Sequence, residues 1–317
     1  MKIIKYIEQI AHSRLKETNL SITIGVFDGL HIGHKRLIES TINCARINNT
    51  KSAMLTFTNH PLQILAPAYS PPPLLNDNEK IDLLRDFGLD FLIMIPFNKQ
   101  LSNQTPEKFI NNFLLKQMNI KCVIAGYDFR FGKDAKGDLS LLRKLASHYG
   151  FQVKGVDPVS LYGRIVSSTE IRELLLDGKI PLANQMLARE YSITGIVEKG
   201  CGRGKSLGFP TANLRMRDNK LLPKCGVYLA RVNMNDKEMF GMLNIGEKPT
   251  FNSQSLTIEI HIFNFNNFIY GQSLKISFIC RLRSEKKFKS PEELKSQLIK
   301  DKEKSLSIIN RCNFSGK

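Results

Sequence analysis

Two histidines stand where the first apolar strand of the chain passes into a helical segment. Residues 25–34 are GVFDGLHIGH, so His31 and His34 lie three positions apart and share one face of a starting helix. A helix N-terminus has unpaired N–H groups and a partial positive charge, and it therefore suits phosphate groups. Two imidazoles placed there can donate hydrogen bonds to a triphosphate and to charge that develops at its α-phosphorus. A lone histidine would more often be structural, but two histidines with Gly29 and Gly33 at this junction predict a nucleotide site with His31 and His34 as catalytic residues.

Two later segments carry polar groups that suit the same site. Residues 166–172, VSSTEIR, place hydroxyl groups and a cation at another predicted helix start, although serine and threonine are also preferred N-caps. Residues 126–132, GYDFRFG, follow a predicted strand at the edge where open α/β sheets bind ligands, although a β-turn with packed aromatic rings is the alternative. The predicted nucleotide and substrate contacts of this first site are Gly25, Phe27, Asp28, Gly33, His60, Asp128, Ser167, Ser168, Thr169 and Arg172.

A second constellation lies further along the chain. Residues 198–214 are EKGCGRGKSLGFPTANL, which invites comparison with a Walker A loop. That interpretation fails because Lys199 stands five places before Gly204, where a glycine is required, and because Pro210 follows instead of a helix. What remains is a flexible cationic loop able to hold polyphosphate, or else a basic surface turn. The predicted nucleotide contacts here are Gly200, Gly202, Arg203, Gly204, Lys205, Gly208 and Pro210.

Thr211 and Asn213 add oxygen ligands to the second site. They alternate along an extended segment, so both side chains fall on one side of it. Hydroxyl and amide oxygens suit a magnesium ion that is shared with nucleotide phosphates. The sequence therefore predicts Mg²⁺ as the cofactor, held by Thr211 and Asn213, with ATP as the co-substrate.

The order of predicted strands and helices changes near residue 190. Before that point short apolar runs alternate with helical stretches, which predicts an α/β doubly wound parallel sheet with helices on both faces. After it, strand-like runs follow one another without helices, which predicts a small antiparallel β-barrel with a C-terminal helix over Pro291–Asn310. We predict two domains, residues 1–185 and 186–317. The predicted helices of the first include Gly33–Asn48, Thr105–Met118 and Leu139–Tyr149.

The motifs together resemble a known family. The HxGH arrangement and VSSTEIR are similar to motifs of the nucleotidyltransferase superfamily, and GRGKSLGFPTAN over residues 202–213 resembles the flavokinase signature. From about residue 20 to 305 the chain resembles the prokaryotic bifunctional riboflavin kinase/FAD synthetases. Later segments that agree in order are Gly226-Val227-Tyr228, Asn244-Ile245-Gly246 with Pro249-Thr250, Glu259-Ile260-His261, Tyr270-Gly271, Arg281-Leu282-Arg283 and Lys287-Phe288.

The resemblance implies two reactions in one chain. The barrel domain would phosphorylate riboflavin to FMN, and the nucleotidyltransferase-like Rossmann domain would transfer AMP from ATP to FMN, giving FAD and pyrophosphate. It also implies that Glu259 is the base that takes the proton of the riboflavin 5′-hydroxyl, which is sensible because an alcohol is a poor nucleophile. Thr257, Glu259 and His261 alternate with isoleucines, so the pattern alone indicates only the outer face of a strand. The expected partners are riboflavin, FMN and ATP.

Composition limits the alternatives. The formal net charge of +17 could indicate nucleic acid, but the basic residues are scattered and no recognition motif is identifiable, so we favour anionic small substrates and expect no nucleic acid partner. The six cysteines form no CxxC pair, which argues against zinc and favours reduced structural thiols. The longest apolar run, FLIMIPF, is too short to cross a bilayer, and charged residues interrupt the N-terminus. We therefore expect a cytoplasmic protein without a membrane partner.

Two positions depart from the family pattern. Asn264 stands where the family usually has Asp, and Ala135 stands where a basic residue is frequent. Both flank motifs, so we expect altered affinity rather than lost activity. A flavin-binding regulator with decayed catalysis is the competing hypothesis from another class, and the presence of His31, His34 and Glu259 argues against it.

Overall fold

The computed structural model describes residues 1–5, 9–10, 13–199, 203–235, 237–250 and 253–314. The chain divides into two compact units, Met1–Ser168 and Thr169–Lys317. The first unit contains the region where predicted strands and helices alternate, and the second contains the region of consecutive predicted strands. No helix among the described residues is long and apolar enough to cross a membrane.

The first unit is built on a parallel sheet. Within its described residues six strands pair in the order β1-β4-β3-β2-β5-β6, all of them parallel. The strand order reverses beside β2, which has β3 on one side and β5 on the other, and a crevice for ligands is expected at the carboxyl ends of such strands. The strands are β1 Lys2–Ile4, β2 Asn19–Ile24, β3 Lys51–Phe57, β4 Phe91–Ile95, β5 Asn119–Gly126 and β6 Gln152–Val156.

Helices and short turns connect these strands. The helices are α1 Ile32–Ile47, α2 Leu62–Leu65, α3 Asp77–Arg85, α4 Lys99–Ser102, α5 Pro106–Lys108 and α6 Leu139–Tyr149, with 3₁₀ turns at Pro67–Tyr69 and Lys133–Ala135. A small hairpin follows, made of β7 Ser160–Leu161 and β8 Arg164–Ile165. The helix predicted over Thr105–Met118 is interrupted, because Phe109–Leu115 winds as a wider π-helix that buries Phe109, Ile110, Phe113 and Leu114.

The sheet carries an apolar core on each face. Successive residues of a strand point to opposite faces, and β4 divides accordingly: Ile93 and Ile95 belong to one buried cluster, and Leu92 and Met94 belong to the other. Ile22 of β2 joins the first cluster. Cores on both faces are the structure of a doubly wound sheet, as predicted.

Two cysteines meet beneath α1. Cys44 of α1 and Cys122 of β5 are buried together with Ile124 and Val156. Burial, and next the neighbouring Cys44 thiol, raise the pKa of the Cys122 thiol to about 12. Both thiols are free.

The second unit contains a closed barrel. In the part of it that the structure describes, antiparallel strands close in the order β10-β13-β12-β11-β14-β9. The strands are β9 Ser192–Glu198, β10 Ala212–Met216, β11 Gly226–Met234, β12 Lys237–Thr250, β13 Ser253–Ile262 and β14 Ser273–Arg283. The helices are α7 Ser168–Leu176, α8 Ile180–Leu187, α9 Arg203–Ser206 and α10 Pro291–Phe314.

The C-terminal helix α10 packs on the outside of the barrel. Arg283 Nε donates to Asp301 Oδ2 at 2.8 Å, and the Asp301 side chain is only 5% exposed. Lys304 Nζ donates to the carbonyl of Leu282 at 2.9 Å. A buried cluster that includes Phe209, Val227 and Phe263 lies in contact with apolar residues of this helix.

Helices α7 and α8 also pack with the barrel. Asn184 Nδ2 donates to the carbonyl of Phe278 at 2.8 Å, and Asn184 Oδ1 accepts from the N–H of Tyr191 at 2.8 Å. The N–H of Lys224 donates to the carbonyl of Leu175 at 3.0 Å. The division between compact units falls at 168/169, after the first residue of α7, whereas the sequence places a domain boundary at 185/186.

Candidate active sites

His31 is the N-cap of α1. Its backbone is extended, and its Nδ1 accepts a hydrogen bond from the N–H of His34 at 3.2 Å. Because Nδ1 accepts, the proton of the neutral ring resides on Nε2, which is then a donor. The two imidazole rings stack with centroids 3.6 Å apart, and the Phe27 ring meets His34 edge-on at 5.1 Å. Both predicted catalytic histidines thus belong to one packed group at a helix N-terminus.

The turn before α1 has an unusual backbone. Phe27, Gly29 and Leu30 have φ values of 51°, 87° and 42°, a region that side-chain-bearing residues rarely adopt. The carbonyl of Asp28 accepts from Ser168 Oγ at 2.7 Å, which joins the VSST segment to the HxGH segment within the first unit. This contact brings together the two motifs that the sequence assigned to one site.

The Asp28 side chain is directed at a second segment of the chain. Its carboxylate accepts from the N–H of Leu74 at 3.0 and 3.1 Å and from the N–H of Leu75 at 3.2 Å. Asp28 is only 7% exposed. These contacts give Asp28 a structural task, which the sequence did not indicate, beside its predicted contact with the nucleotide.

A cleft of about 670 Å³ opens at the carboxyl edge of the sheet. Gly25, Phe27, His34 and Asp128 line it, so residues from the ends of β2 and β5 meet there as the strand order requires. The cleft also has the positive charges of Arg130 and Lys133. The phenylalanines that line it are Phe27, Phe57, Phe97, Phe109, Phe129 and Phe131.

Sequence reasoning predicted Phe27 and singled out the segment with Phe129 and Phe131, but it missed Phe57 and Phe97 in the aromatic wall of this cleft. Phe57 ends β3 and Phe97 lies just beyond β4, and their rings pack edge to face at 5.3 Å. The sequence did offer a signal for this wall: an aromatic residue stands at or just beyond the carboxyl end of each of two neighbouring strands. Ala135 also lines the cleft and has a φ of 54°, which is costly for alanine.

The remaining predicted residues of the first site have the following places. His60 Nδ1 accepts from the N–H of Leu62 at 3.2 Å, beside Pro61, which lines the cleft. A Cβ on Gly33 would lie 3.1 Å from the His31 ring, so glycine lets the histidine fold back. Ser167 precedes α7 and belongs to the first compact unit, whereas Thr169 and Arg172 lie on α7 and belong to the second.

The register of the barrel brings the second set of residues together. Asn213 of β10 lies directly opposite Glu259 of β13, and Glu259 lies directly opposite Asn244 of β12. Directly opposed residues of antiparallel strands share a face. Ile258 and Ile260 are buried, so Glu259 and both asparagines form a polar row on the outer face, where Glu259 is half-buried. Asn244 was not predicted as a site residue.

The GFPTAN segment lies across the outer face of β13. His261 Nδ1 donates to the carbonyl of Pro210 at 2.9 Å, and its ring meets Phe209 edge-on. Burial lowers the pKa of His261, an effect that the Pro210 carbonyl opposes. The carbonyl of Gly204 accepts from Leu207 and Phe209, and a Cβ on Gly204 would collide with the Phe209 carbonyl oxygen. Thr211 is thereby held beside the strand that carries Glu259.

Several predicted residues of this loop are only partly described. Gly200 and Gly202 lie outside the described residues. The backbones of Arg203 and Lys205 belong to α9. Gly208 has a φ of 82°, which requires glycine in practice, and Pro210 provides the carbonyl for His261.

Thr211 and Asn213 fit a magnesium ion that is shared with a nucleotide. Their oxygens and the neighbouring Glu259 carboxylate are the hard donors that Mg²⁺ takes, and Mg²⁺ at nucleotide sites uses few protein ligands because phosphates and water supply the rest. Among the described residues, no group of three or more His, Cys, Asp or Glu could hold a metal ion alone.

Comparison with known proteins covers both units. A family model described as FAD synthetase matches residues 13–170, and one described as riboflavin kinase matches residues 187–309. The chain is 36% identical to the bifunctional riboflavin kinase/FMN adenylyltransferase of Buchnera aphidicola, over 94% of this chain and 96% of that protein. It is 33% identical to the protein of the same name from Bacillus subtilis, with the same coverage of both chains.

A solved structure from Streptococcus pneumoniae shares the whole fold. It is 31% identical, its TM-score is 0.85, and the match covers 95% of this chain and 97% of that one. That structure is described as a macrolide-efflux protein, a function with no counterpart in the two family models or the curated relatives. The two family models follow each other along the chain in this order, and the curated relatives are matched over nearly their full length. The chain belongs to the bifunctional riboflavin kinase/FMN adenylyltransferase family.

Proposed function

We propose that the barrel unit phosphorylates riboflavin to FMN and that the parallel-sheet unit adenylylates FMN to FAD, each with ATP. The observation that carries this proposal is the register that sets Asn213 opposite Glu259 in a chain that also bears the His31–His34 pair. Each reaction thus has its own set of reactive side chains in its own unit.

In the kinase reaction, the 5′-hydroxyl oxygen of riboflavin attacks the γ-phosphorus of ATP and ADP leaves. Glu259 takes the hydroxyl proton, a role supported by its half-buried position on the outer face beside Asn213 and Asn244. Thr211 and Asn213 would hold Mg²⁺, which neutralises charge on the phosphates when bound. The GFPTAN segment, held by His261, orients both ligands next to Glu259.

In the adenylyl transfer, a phosphate oxygen of FMN attacks the α-phosphorus of ATP and pyrophosphate leaves. This nucleophile needs no base, because a phosphate monoester with a second pKa of about 6 is mostly ionised at neutral pH. His31 Nε2–H and the His34 ring stabilise charge at the α-phosphorus, a role supported by their packing together at the start of α1. Alignment and charge stabilisation therefore account for catalysis in this unit.

The cleft of the first unit suits the flavin ring. Its aromatic wall offers flat apolar surfaces, and Arg130 and Lys133 offer positive charge for a phosphate. The remaining predicted nucleotide contacts, including Asp128 and Ser167, belong to this proposal as residues to be tested singly.

We extend the proposal to partners and compartment. Scattered positive charge in a chain with a formal net charge of +17 suits riboflavin phosphate and ATP as anionic ligands, and we propose no nucleic acid partner. Both reactions consume ATP, which supports the cytoplasm as the compartment. The domain boundary at 185/186 remains part of the proposal.

One experiment tests the main claim. Purified protein is incubated with riboflavin, ATP and magnesium, and FMN and FAD are resolved by chromatography over time. We expect FMN to appear first and FAD to follow, with pyrophosphate released in step with FAD. Absence of FAD when FMN and ATP are supplied would remove the adenylyltransferase assignment, and absence of FMN from riboflavin would remove the kinase assignment.

A further inference from the structure

A buried lysine contacts the turn that precedes α1. Lys80 lies on α3, outside every motif that the sequence indicates, and it is only 5% exposed. Its Nζ donates to the carbonyl of Val26 at 3.1 Å. Burying an ammonium group costs several kcal/mol in proteins unless hydrogen bonds and opposite charges offset the lost hydration.

The Val26 carbonyl is held by two donors. Thr56 Oγ1 of β3 also donates to it, at 2.9 Å. One residue earlier, the N–H of Gly25 donates to the carbonyl of Leu55 at 3.1 Å. Donors from β3 and α3 therefore fix the peptide immediately before Phe27, the first residue of the turn with a positive φ.

Lys80 also lies within the electrostatic influence of Asp28, the acidic residue of the same turn. Burial lowers the pKa of the Lys80 amine, and the charges of Asp28 and then Asp77 oppose that effect. The Asp28 carboxylate in turn accepts from the N–H groups of Leu74 and Leu75, just ahead of α3. Two sets of contacts therefore join the turn to α3: Lys80 of the helix binds the Val26 carbonyl, and Asp28 of the turn binds the backbone just ahead of the helix.

We infer that Lys80 is a positioning residue for adenylyl transfer: its ammonium holds the Val26 carbonyl, and so fixes the strained turn that presents His31 and His34. This inference rests on the adenylyltransferase proposed above. Lys80 does not touch the reacting phosphate in this role, because its described contact is with the backbone of the turn. Misplacement of catalytic groups by about 1 Å can reduce rate about a hundredfold, so the effect should fall on turnover.

The test is Lys80→Met in the full chain, with FAD formation from FMN, ATP affinity, melting temperature and riboflavin phosphorylation measured together. Methionine keeps the length and apolar stem but donates nothing. We expect the kcat for FAD formation to fall between about tenfold and a hundredfold, with the KM for ATP and FMN nearly unchanged and riboflavin phosphorylation intact. Arg85→Met on the same helix is the control, because its side chain is 66% exposed and pairs only with Asp82 among its described ion pairs.

A second variant keeps the test decisive if Lys80→Met folds poorly. Thr56→Val removes the other donor to the Val26 carbonyl with almost no change of shape, and we expect a severalfold lower kcat with unchanged KM. A normal kcat in both variants, a KM effect without a kcat effect, or equal loss of both reactions would overturn the role of Lys80. If the unaltered protein makes FMN but no FAD, the proposed adenylyltransferase itself fails, which is a different outcome.

Discussion

The two sites are built from different kinds of structure. In the first unit, the two histidines proposed as catalytic follow a turn with three positive φ values, His31 as the N-cap of α1 and His34 in its first turn. In the second, Glu259 and Asn213 project from paired strands, and their proximity follows from register alone. Both sites are proposed to act on ATP, so similar chemistry has been placed on a strained loop in one case and on a regular ladder in the other.

This difference determines how each site should fail. A strained turn depends on every contact that holds it, so residues distant from the chemistry can weaken it. A strand pair depends on register, because a slip of one residue would turn Glu259 from the outer face to the barrel interior. We therefore expect graded losses in the first unit and abrupt losses in the second.

The largest effect is expected from Glu259→Gln. The amide keeps the shape but cannot take a proton, so riboflavin phosphorylation should fall by about 10²- to 10⁴-fold, the usual contribution of a general base. FAD formation from supplied FMN should persist. Rates of both reactions are measured by chromatography, with Glu303→Gln on the exposed side of α10 as the matched control. Near-normal kinase activity would remove Glu259 from its role.

The next effect concerns the histidine pair. His34→Ala and His31→Asn should lower FAD formation by about 10²- to 10³-fold, as for loss of one preorganised donor, while FMN formation continues. Asparagine at position 31 is a good N-cap, so it removes the imidazole while it keeps an acceptor at the start of α1.

His31→Ala removes the cap as well, and comparison with His31→Asn separates the two contributions. We expect an additional loss of about 1 kcal/mol in the free energy of unfolding. For each variant we would measure the melting temperature, the ATP affinity and the rates of FMN and FAD formation. A parallel decline of stability, nucleotide binding and activity in all three variants would indicate packing histidines rather than catalytic ones.

A smaller effect is expected when the barrel unit is shortened. Residues 186–317 and residues 169–317 should both phosphorylate riboflavin without making FAD. The shorter fragment lacks the contacts of Leu175 and Asn184 with the barrel, so its free energy of unfolding should be lower by about 3 kcal/mol, at roughly 1 kcal/mol for each of three hydrogen bonds. Denaturant titration measures the difference, and equal values would show that α7 and α8 contribute nothing to the barrel.

The smallest effect is a pH dependence from His261. Burial lowers its pKa below the ordinary 6.5, so the unfolded chain binds the proton more readily than the folded one. Its contribution to stability is therefore present above pH 6.5 and is lost as the pH falls through the lowered pKa. His261→Asn should flatten the dependence of melting temperature on pH between 7 and 5. An unchanged slope in the variant would contradict this assignment.

Local patterns predicted much of this molecule, because they depend on neighbours in sequence. The alternation around Glu259 indicated an outer strand face, and Ile258 and Ile260 are buried opposite it. The pair at His31 and His34 indicated a helix start, and α1 begins at Ile32. The regions of sheet and barrel follow from the same periodicities, and the six-stranded parallel sheet and closed barrel of the described residues confirm both fold predictions.

What escaped prediction depends on contacts between distant residues. The pairing of Asn213 with Glu259 joins positions 46 residues apart, and no local pattern sets that register. The contact of Lys80 with Val26 joins positions 54 residues apart. The interruption at Phe109–Leu115 also escaped, because tertiary packing of four apolar side chains overrides a plain helical pattern.

Alkylation of the buried and half-buried cysteine thiols can report local opening of each unit. Cys44 and Cys122 lie in the first unit, and Cys225 and Cys280 lie half-buried in the second. A thiol whose pKa is raised to about 12 reacts with alkylating reagents very slowly until its surroundings open, so labelling reports opening rather than intrinsic reactivity. In a variant with Cys201 and Cys312 replaced by serine, the alkylation rate of each remaining cysteine, measured peptide by peptide, would report local opening of the two units separately. Added ATP should then slow labelling of whichever unit has bound it.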